Sequence, residues 1–441
     1  MAGQRVSRIK TFFALLGVVA IFVIYGLLTG WNPLPGWAAW LRQQTATQLS
    51  DPRPPWTVRA GDQPHAAVVL DGAIVVTSDG SVEVRDPRNG DLAWRRRDAW
   101  AGVAGGDAQP VVIVGRTGNS GFDVYDAKSG VSLWKDDDHD GVWPYVNMVL
   151  VMHCDSTCHL IARDPVTGRP EWTAPFASAG AALRGFDRPT AALVPPASRY
   201  SGVLAAAPVA APALIGLSVG GTVHVVSTAD GHEVRHFTSD AGTRVVVAGG
   251  VVLVSTAVKQ GQSCYSTIAA RDARTGADLW QKPGYDPGTV SGAGCEQDHD
   301  PVGAGDTVLV IDPSGRDTLL NVSSGHVVYR APAGEHVIAT DGGAALVRSK
   351  DGKVLRVIEL DSGHELYNRP VTASAQIGLA PGLVLVADPA GRNPHIVVYE
   401  LVSGSAHLNL ASSATVLGVG ANTLVINIGR SFGPVTLSAP A

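Results

Sequence analysis

The chain has 441 residues, of which 45% are hydrophobic and 17% charged, and its formal net charge is −5. Such a composition supports a sizeable core, excludes a globally disordered chain, and without a long basic block gives no footing for nucleic acid. Glycine is abundant, at 51 residues, which suits many short strands joined by tight turns.

Residues 1–10 carry Arg5, Arg8 and Lys10 and no acid, and residues 11–30, "TFFALLGVVAIFVIYGLLTG", carry no charge. Twenty residues at ~1.5 Å each span roughly 30 Å, the thickness of a hydrocarbon core. Trp31, Trp37 and Trp40 follow where indoles sit at a headgroup layer. The expectation is one transmembrane helix over 11–30, a cytoplasmic tail over 1–10 and everything later outside the cell membrane. A cleaved signal peptide is the competing reading, but "WNPLPGW" lacks a small-x-small cleavage site. Residues 31–60 read as a linker, stiffened by Pro33, Pro35, Pro52, Pro54 and Pro55.

From residue 61 to residue 441 one phrase recurs. It is "VRDPRNGDLAW" ending at Trp94, "VYDAKSGVSLW" ending at Trp134, "ARDPVTGRPEW" ending at Trp172 and "ARDARTGADLW" ending at Trp280. Aligned on Gly90, Gly130, Gly168, Gly231, Gly276, Gly325, Gly363 and Gly404, the gaps are 40, 38, 63, 45, 49, 38 and 41 residues. Four residues before each glycine stands Asp86, Asp126, Asp164, Ser227, Asp272, Asn321, Glu359 or Glu400. Four residues after it stands Trp94, Trp134, Trp172, Arg235, Trp280, Tyr329, Tyr367 or Leu408. Between phrases lie apolar runs such as "AIVVTSDG" and "GLVLVADPAG". A period near 40 with about four short strands per unit predicts an all-β fold, a β-propeller.

Within the phrase, the glycine reaches positive φ, the acid binds backbone N–H groups, and the indole docks one blade on the next. Trp94, Trp134, Trp172 and Trp280 are therefore read as structural docking residues. Eight phrases predict eight blades. Three further strands, at Thr415–Gly418, Thr423–Asn427 and Pro434–Leu437, could pair with "WTV" at Trp56 or replace a degenerate unit, which leaves seven or nine open. The gap of 63 holds roughly twenty extra residues between Ala177 and Ala211, read as an elaborated hairpin or surface loop.

The phrases resemble the tryptophan-docking motif of the quinoprotein (PQQ-like) β-propellers, strongly in four repeats and weakly in four. An N-terminal span before an external propeller also resembles actinobacterial single-span membrane proteins. For the enzymes of that family the resemblance implies a quinone stacked between a tryptophan and a disulfide of adjacent cysteines, beside calcium and a catalytic aspartate. No adjacent cysteine pair occurs, so PQQ is not the expected cofactor. G-x-S-x-G and H-E-x-x-H are also missing.

Outside the membrane the four cysteines read as disulfides, and of three formal pairings Cys154–Cys158 and Cys264–Cys295 are preferred. A zinc site from His153, Cys154, Cys158 and His159 competes, but strand neighbours point to opposite faces. "DDDHDG" opens like a calcium loop through Asp136, Asp138 and Asp140, although position twelve is Asn147 rather than glutamate. A solvated acidic turn is the plainer reading. "EQDHD" at 296–300 echoes it, and strand counting puts both segments and all four cysteines at one end of the ring. Three functions follow: a non-catalytic scaffold binding envelope proteins or a wall component, a quinone- and calcium-dependent dehydrogenase, or a small-ligand sensor.

Overall fold

The computed structural model describes residues 54–437 apart from 98–99, 117–120, 177–180, 185–207, 240, 292–294, 389–393, 421 and 430. The expected membrane span at 11–30 lies outside the described residues. Among those described, no helix is long and apolar enough to cross a membrane, and every regular element is a strand.

Nine four-stranded antiparallel sheets follow one another. The first blade comprises Pro64–Leu70, Ala73–Ser78, Ser81–Arg85 and Leu92–Arg97, from innermost strand to outermost. Seven more repeat that order at 101–136, 141–176, 181–238, 243–283, 303–330, 336–370 and 376–410. The ninth is assembled from both ends of the domain. Thr415–Gly420, Thr423–Ile428 and Ser431–Thr436 supply three strands, and Val58–Arg59 is the outer one, with Val58 opposite Phe432.

Apolar clusters bridge each neighbouring pair of blades, from Val84, Trp94 and Val112 between the first two to Leu424, Leu408 and Ile396 between the last two. A further cluster, with Ile74, Val76, Leu417, Val425 and Phe432, joins ninth to first and closes the ring. The closure is tight. A Cβ on Gly418 would meet the Ala67 carbonyl oxygen at 1.9 Å, so only glycine admits that backbone approach. Beside it, fully buried Glu83 accepts from Arg85 Nη2 at 2.6 Å, from Arg95 and from the Gly61 N–H.

The blade count corrects the expected eight, for a physical reason. Each phrase marks the turn between a third strand and its outer strand. In the ninth blade those two strands are Ser431–Thr436 and Val58–Arg59, from opposite ends of the chain, so no turn and no phrase exist there. For the same reason the expected linker over 31–60 runs too far, because its last residues belong to the closing sheet. The extra residues of the long gap fall between the inner strand Ala181–Leu183 and the second strand Leu214–Val219 of the fourth blade, and 185–207 lie outside the described residues.

Candidate functional site

Antiparallel order sorts the connections into two sets. Phrase turns and the inner-to-second hairpins share one end of the ring. The second-to-third hairpins and the crossovers between blades share the other.

At the phrase end the docking is literal. The Trp94 indole N–H donates to Ala127 O at 3.0 Å, Trp134 to Pro165 O at 2.9 Å, Trp172 to Thr228 O at 2.9 Å and Trp280 to Val322 O at 2.8 Å. Every acceptor directly follows the acid position of the next blade's phrase. Each ring also covers that phrase's glycine, where a Cβ would come within 2.3–2.6 Å of indole carbons. Glycine is thus needed twice, for a φ near +70° and for bare space under the ring. Trp56, lying in the expected linker, does the same for the closing blade, donating to Pro87 O at 3.0 Å above Gly90.

The weaker repeats substitute other groups. Arg235 lies over Gly276 and donates to Arg274 O, and Tyr367 lies over Gly404 and donates to Glu400 O. Leu408 faces the one blade without a phrase and so has no turn to dock on.

In four of the turns the aspartate, Asp86, Asp126, Asp164 or Asp272, accepts local N–H groups, whereas Glu359 and Glu400 accept the hydroxyls of Ser362 and Ser403. Asp272 Oδ1 takes the Thr275 N–H at 2.6 Å and its hydroxyl at 2.8 Å, and these bonds, with the Arg274 N–H, hold its carboxyl below the ordinary range. For Asp126 and Asp164 partial burial pushes upward, and the bonds from Ser129 and Thr167 outweigh it, so both also fall.

The other end holds the four cysteines and both acidic segments. Cys154 and Cys158 face each other across a hairpin and are bonded, and Cys264 is bonded to Cys295, which is the preferred pairing. With both cysteines of "HCDSTCH" in a disulfide, the zinc arrangement is excluded. Cys295 has φ +62°, the one positive value at a non-glycine among the described residues. It sits in the crossover from fifth to sixth blade, beside a small ribbon of Val290–Ser291 and Glu296–Gln297. Buried Gln297 pins that ribbon. Its Nε2 donates to Gly242 O at 2.7 Å and Ser255 O at 2.9 Å, while its Oε1 accepts from Thr289 at 2.7 Å and from Ser255. Asp300, three residues on, accepts from Arg184 at 3.2 Å and Arg244 at 2.6 Å, linking three consecutive blades.

The calcium-like segment is occupied by protein partners. Buried Asp136 meets Arg163 at 3.2 Å and His153 at 3.3 Å. That same Arg163 caps Gly168 O at 3.0 Å and lies over the Trp134 ring, so Asp136 serves the docking seam. Asp140 accepts the Cys154 N–H at 2.6 Å, and Asp138 is exposed with its N–H on Asp136 Oδ1. Among the described residues no three carboxylate, imidazole or thiolate groups converge on a cation position. Neither disulfide joins adjacent cysteines, so the residues present do not fit the quinone clamp that the resemblance implies.

Sequence reasoning missed Trp56 as a docking indole, Gln297, and the Arg184–Asp300–Arg244 link. Only Trp56 had a readable signal, an indole flanked by the strand that closes the ring.

The ring, its phrases and their docking define a nine-bladed β-propeller whose phrase turns are similar to those of the PQQ-like repeats. A family model described as outer membrane protein assembly factor BamB matches residues 265–392. No curated protein sequence matches the chain. Among solved structures, BamB from Moraxella catarrhalis is 14% identical with a TM-score of 0.39, covering 76% of this chain and 94% of that one. The quinohemoprotein alcohol dehydrogenase ADHIIG from Pseudomonas putida HK5 is 13% identical at 0.40, covering 89% and 78%. A eukaryotic initiation factor is 9% identical at 0.47, covering 86% and 92%.

Proposed function

We propose that this chain is a membrane-anchored, extracytoplasmic β-propeller acting as a non-catalytic scaffold, a protein-interaction module of the cell envelope. The observation that carries the reading is the stapled end of the ring. Both disulfides, the Gln297 network and the Asp300 link stiffen connections rather than core, and rigid loops on a rigid scaffold are where binding function collects. Disulfides suit an oxidising compartment, and the apolar segment at 11–30 would place the ring in one. The matching family model, named for an assembly factor, supports an interaction role over chemistry.

The test is purification of the tagged full chain from membranes in detergent. Stoichiometric partners are expected, and Asp155→Arg at the stapled end should reduce their recovery while Asp361→Arg at the phrase end should not. A lone monomer under several detergents would defeat the scaffold. A quinone absorbance band after reconstitution with PQQ and calcium, with alcohol-dependent dye reduction, would put the dehydrogenase in its place.

A further inference from the structure

Seven of the eight phrase glycines are roofed by a side chain from the seam before them. Five lie under the indoles of Trp56, Trp94, Trp134, Trp172 and Trp280, Gly276 lies under the Arg235 guanidinium and Gly404 under the Tyr367 ring. Gly363, in the seventh blade, is the exception. A Cβ built there would meet nothing within 4 Å among the described residues. Gly363 is also exposed, whereas the other seven are buried or half-buried.

Tyr329 stands at the docking position of the sixth blade but keeps to another part of the seam. It is half-buried against a cluster that includes Val337, Ile358 and Leu360. Arg356 near it spans Glu335 Oε1 at 3.4 Å and Glu365 Oε2 at 3.7 Å. The turn it leaves uncovered is complete. Gly363 has φ +68°, and its N–H donates to Glu359 O at 2.9 Å, as the Gly130 N–H donates to Asp126 O. Leu360 directly follows the acid position, the place from which Pro87, Ala127, Pro165, Thr228 and Val322 accept an indole N–H in other blades. Among the described residues no donor reaches the Leu360 carbonyl oxygen. The seam between sixth and seventh blades thus carries the docking slot without its ring.

We propose that this slot binds a small indolic amine. The filled copies define what fits: a flat π group whose N–H or O–H donates to a turn carbonyl, an indole in five of the seven. In this slot the ring would lie over Gly363 with its N–H on Leu360 O, the arrangement that five indoles already make. Charge selects among free indoles. Glu359, Asp361 and Glu365 are exposed within four residues of Gly363, and Arg356 is already shared between two carboxylates. A cationic tail is attracted there and an anionic one repelled. Asp361, Ser362 and His364 make the surrounding turn polar, so it lacks the apolar centre of a stable protein interface.

The slot lies at the phrase end, so its ligand and the partners of the stapled end are read separately, and failure of one leaves the other standing. The experiment is saturation-transfer NMR on the purified full chain in detergent, with tryptamine as the probe. Transfer to the indole protons is expected. 1-Methyltryptamine, which lacks the ring N–H, and indole-3-acetate, an anion with the same ring, should each receive about three- to tenfold less. Gly363→Ala should lose the signal. Gly80→Ala, at the other end, has a similar φ of +74° and equally open space, and should keep it. Tyr329→Trp should fill the slot from within, losing the signal and melting higher than the wild type. Melting temperatures confirm that the alanine variants are folded. No transfer above a detergent blank, equal transfer to tryptamine and 1-methyltryptamine, a signal retained in Gly363→Ala, or a lower-melting Tyr329→Trp would each overturn the assignment. So would a protein whose recovery from membranes falls in Gly363→Ala while tryptamine shows no transfer, since the slot would then hold a partner's indole.

Discussion

At one end of the ring the same turn recurs in eight blades around a glycine, most often with an acid four residues before it and an aromatic ring of the preceding blade docked over it. At the other end hairpin lengths, crossovers and disulfides differ from blade to blade. The repeated end lies where each blade meets the next, so its residues answer to one geometric demand and converge on one phrase. The variable end meets solvent and is free to diverge. Repetition here reports packing, and departure from repetition marks where the molecule is specialised.

The sharpest way to break this division is Trp94→Ala. Removing a buried docked indole should cost about 3–5 kcal/mol, read from denaturant midpoints, while any partner or ligand binding at the opposite end survives in the folded fraction. Equal loss of both would mean that the two ends are not separable.

The disulfides should rank by the loop they close. Cys264→Ser with Cys295→Ser releases a span of 31 residues and should cost about 3.7 kcal/mol, whereas Cys154→Ser with Cys158→Ser, a span of 4, should cost about 2 kcal/mol. Thermal melts under non-reducing conditions decide it, and a reversed order would mean that strain rather than chain entropy sets their effect.

Two glycines separate the roles assigned to one residue. Gly130 and Gly363 have nearly the same φ, +67° and +68°, but a Cβ on Gly130 would meet Trp94 at 2.5 Å and one on Gly363 would meet nothing. Gly363→Ala should cost about 1–2 kcal/mol for the left-handed backbone alone. Gly130→Ala should cost about 1–3 kcal/mol more, because the indole must give way. Equal costs would remove the docking role of the turn.

The smallest effect is acid sensitivity. The carboxyls of Asp126, Asp164 and Asp272 lie below their ordinary values in the folded chain, so their contribution is present above the unfolded pKa, near 4. It is lost as pH falls through the lower folded values. Melting temperature should drop between pH 5 and pH 2, and Asp126→Asn should flatten that dependence slightly.

Fold class, strand density and cysteine pairing were legible because each leaves a periodic or countable trace. The phrases alone counted eight, because they record turns and the closing blade has none, although its three late strands and "WTV" at Trp56 were readable and left nine open. Leu408 looked like decay of the motif and is instead the position with no turn to receive an indole. The spacing of Asp136 with Asp138 and Asp140 left a cation open beside the plainer acidic turn, and it gave no sign of the bond from Arg163 to the buried Asp136 carboxylate, 27 residues away in the chain. Such a link leaves no short-range signal. Nor do Gln297 and its partners, whose polar types are common on any surface.

The ring's last blade borrows its outer strand from near the start of the chain. Val58 and Arg59 emerge from the ribosome hundreds of residues before Phe432 and Ser431, their only strand partners. Until the final strands arrive, that early segment waits unpaired, and Trp56 beside it has no finished seam to settle into. Assembly therefore ends with a latch that needs both extremities at once. Trimming residues 54–59 would leave Ser431–Thr436 as the raw outer edge of a three-stranded blade, prone to pairing with a strand of another chain.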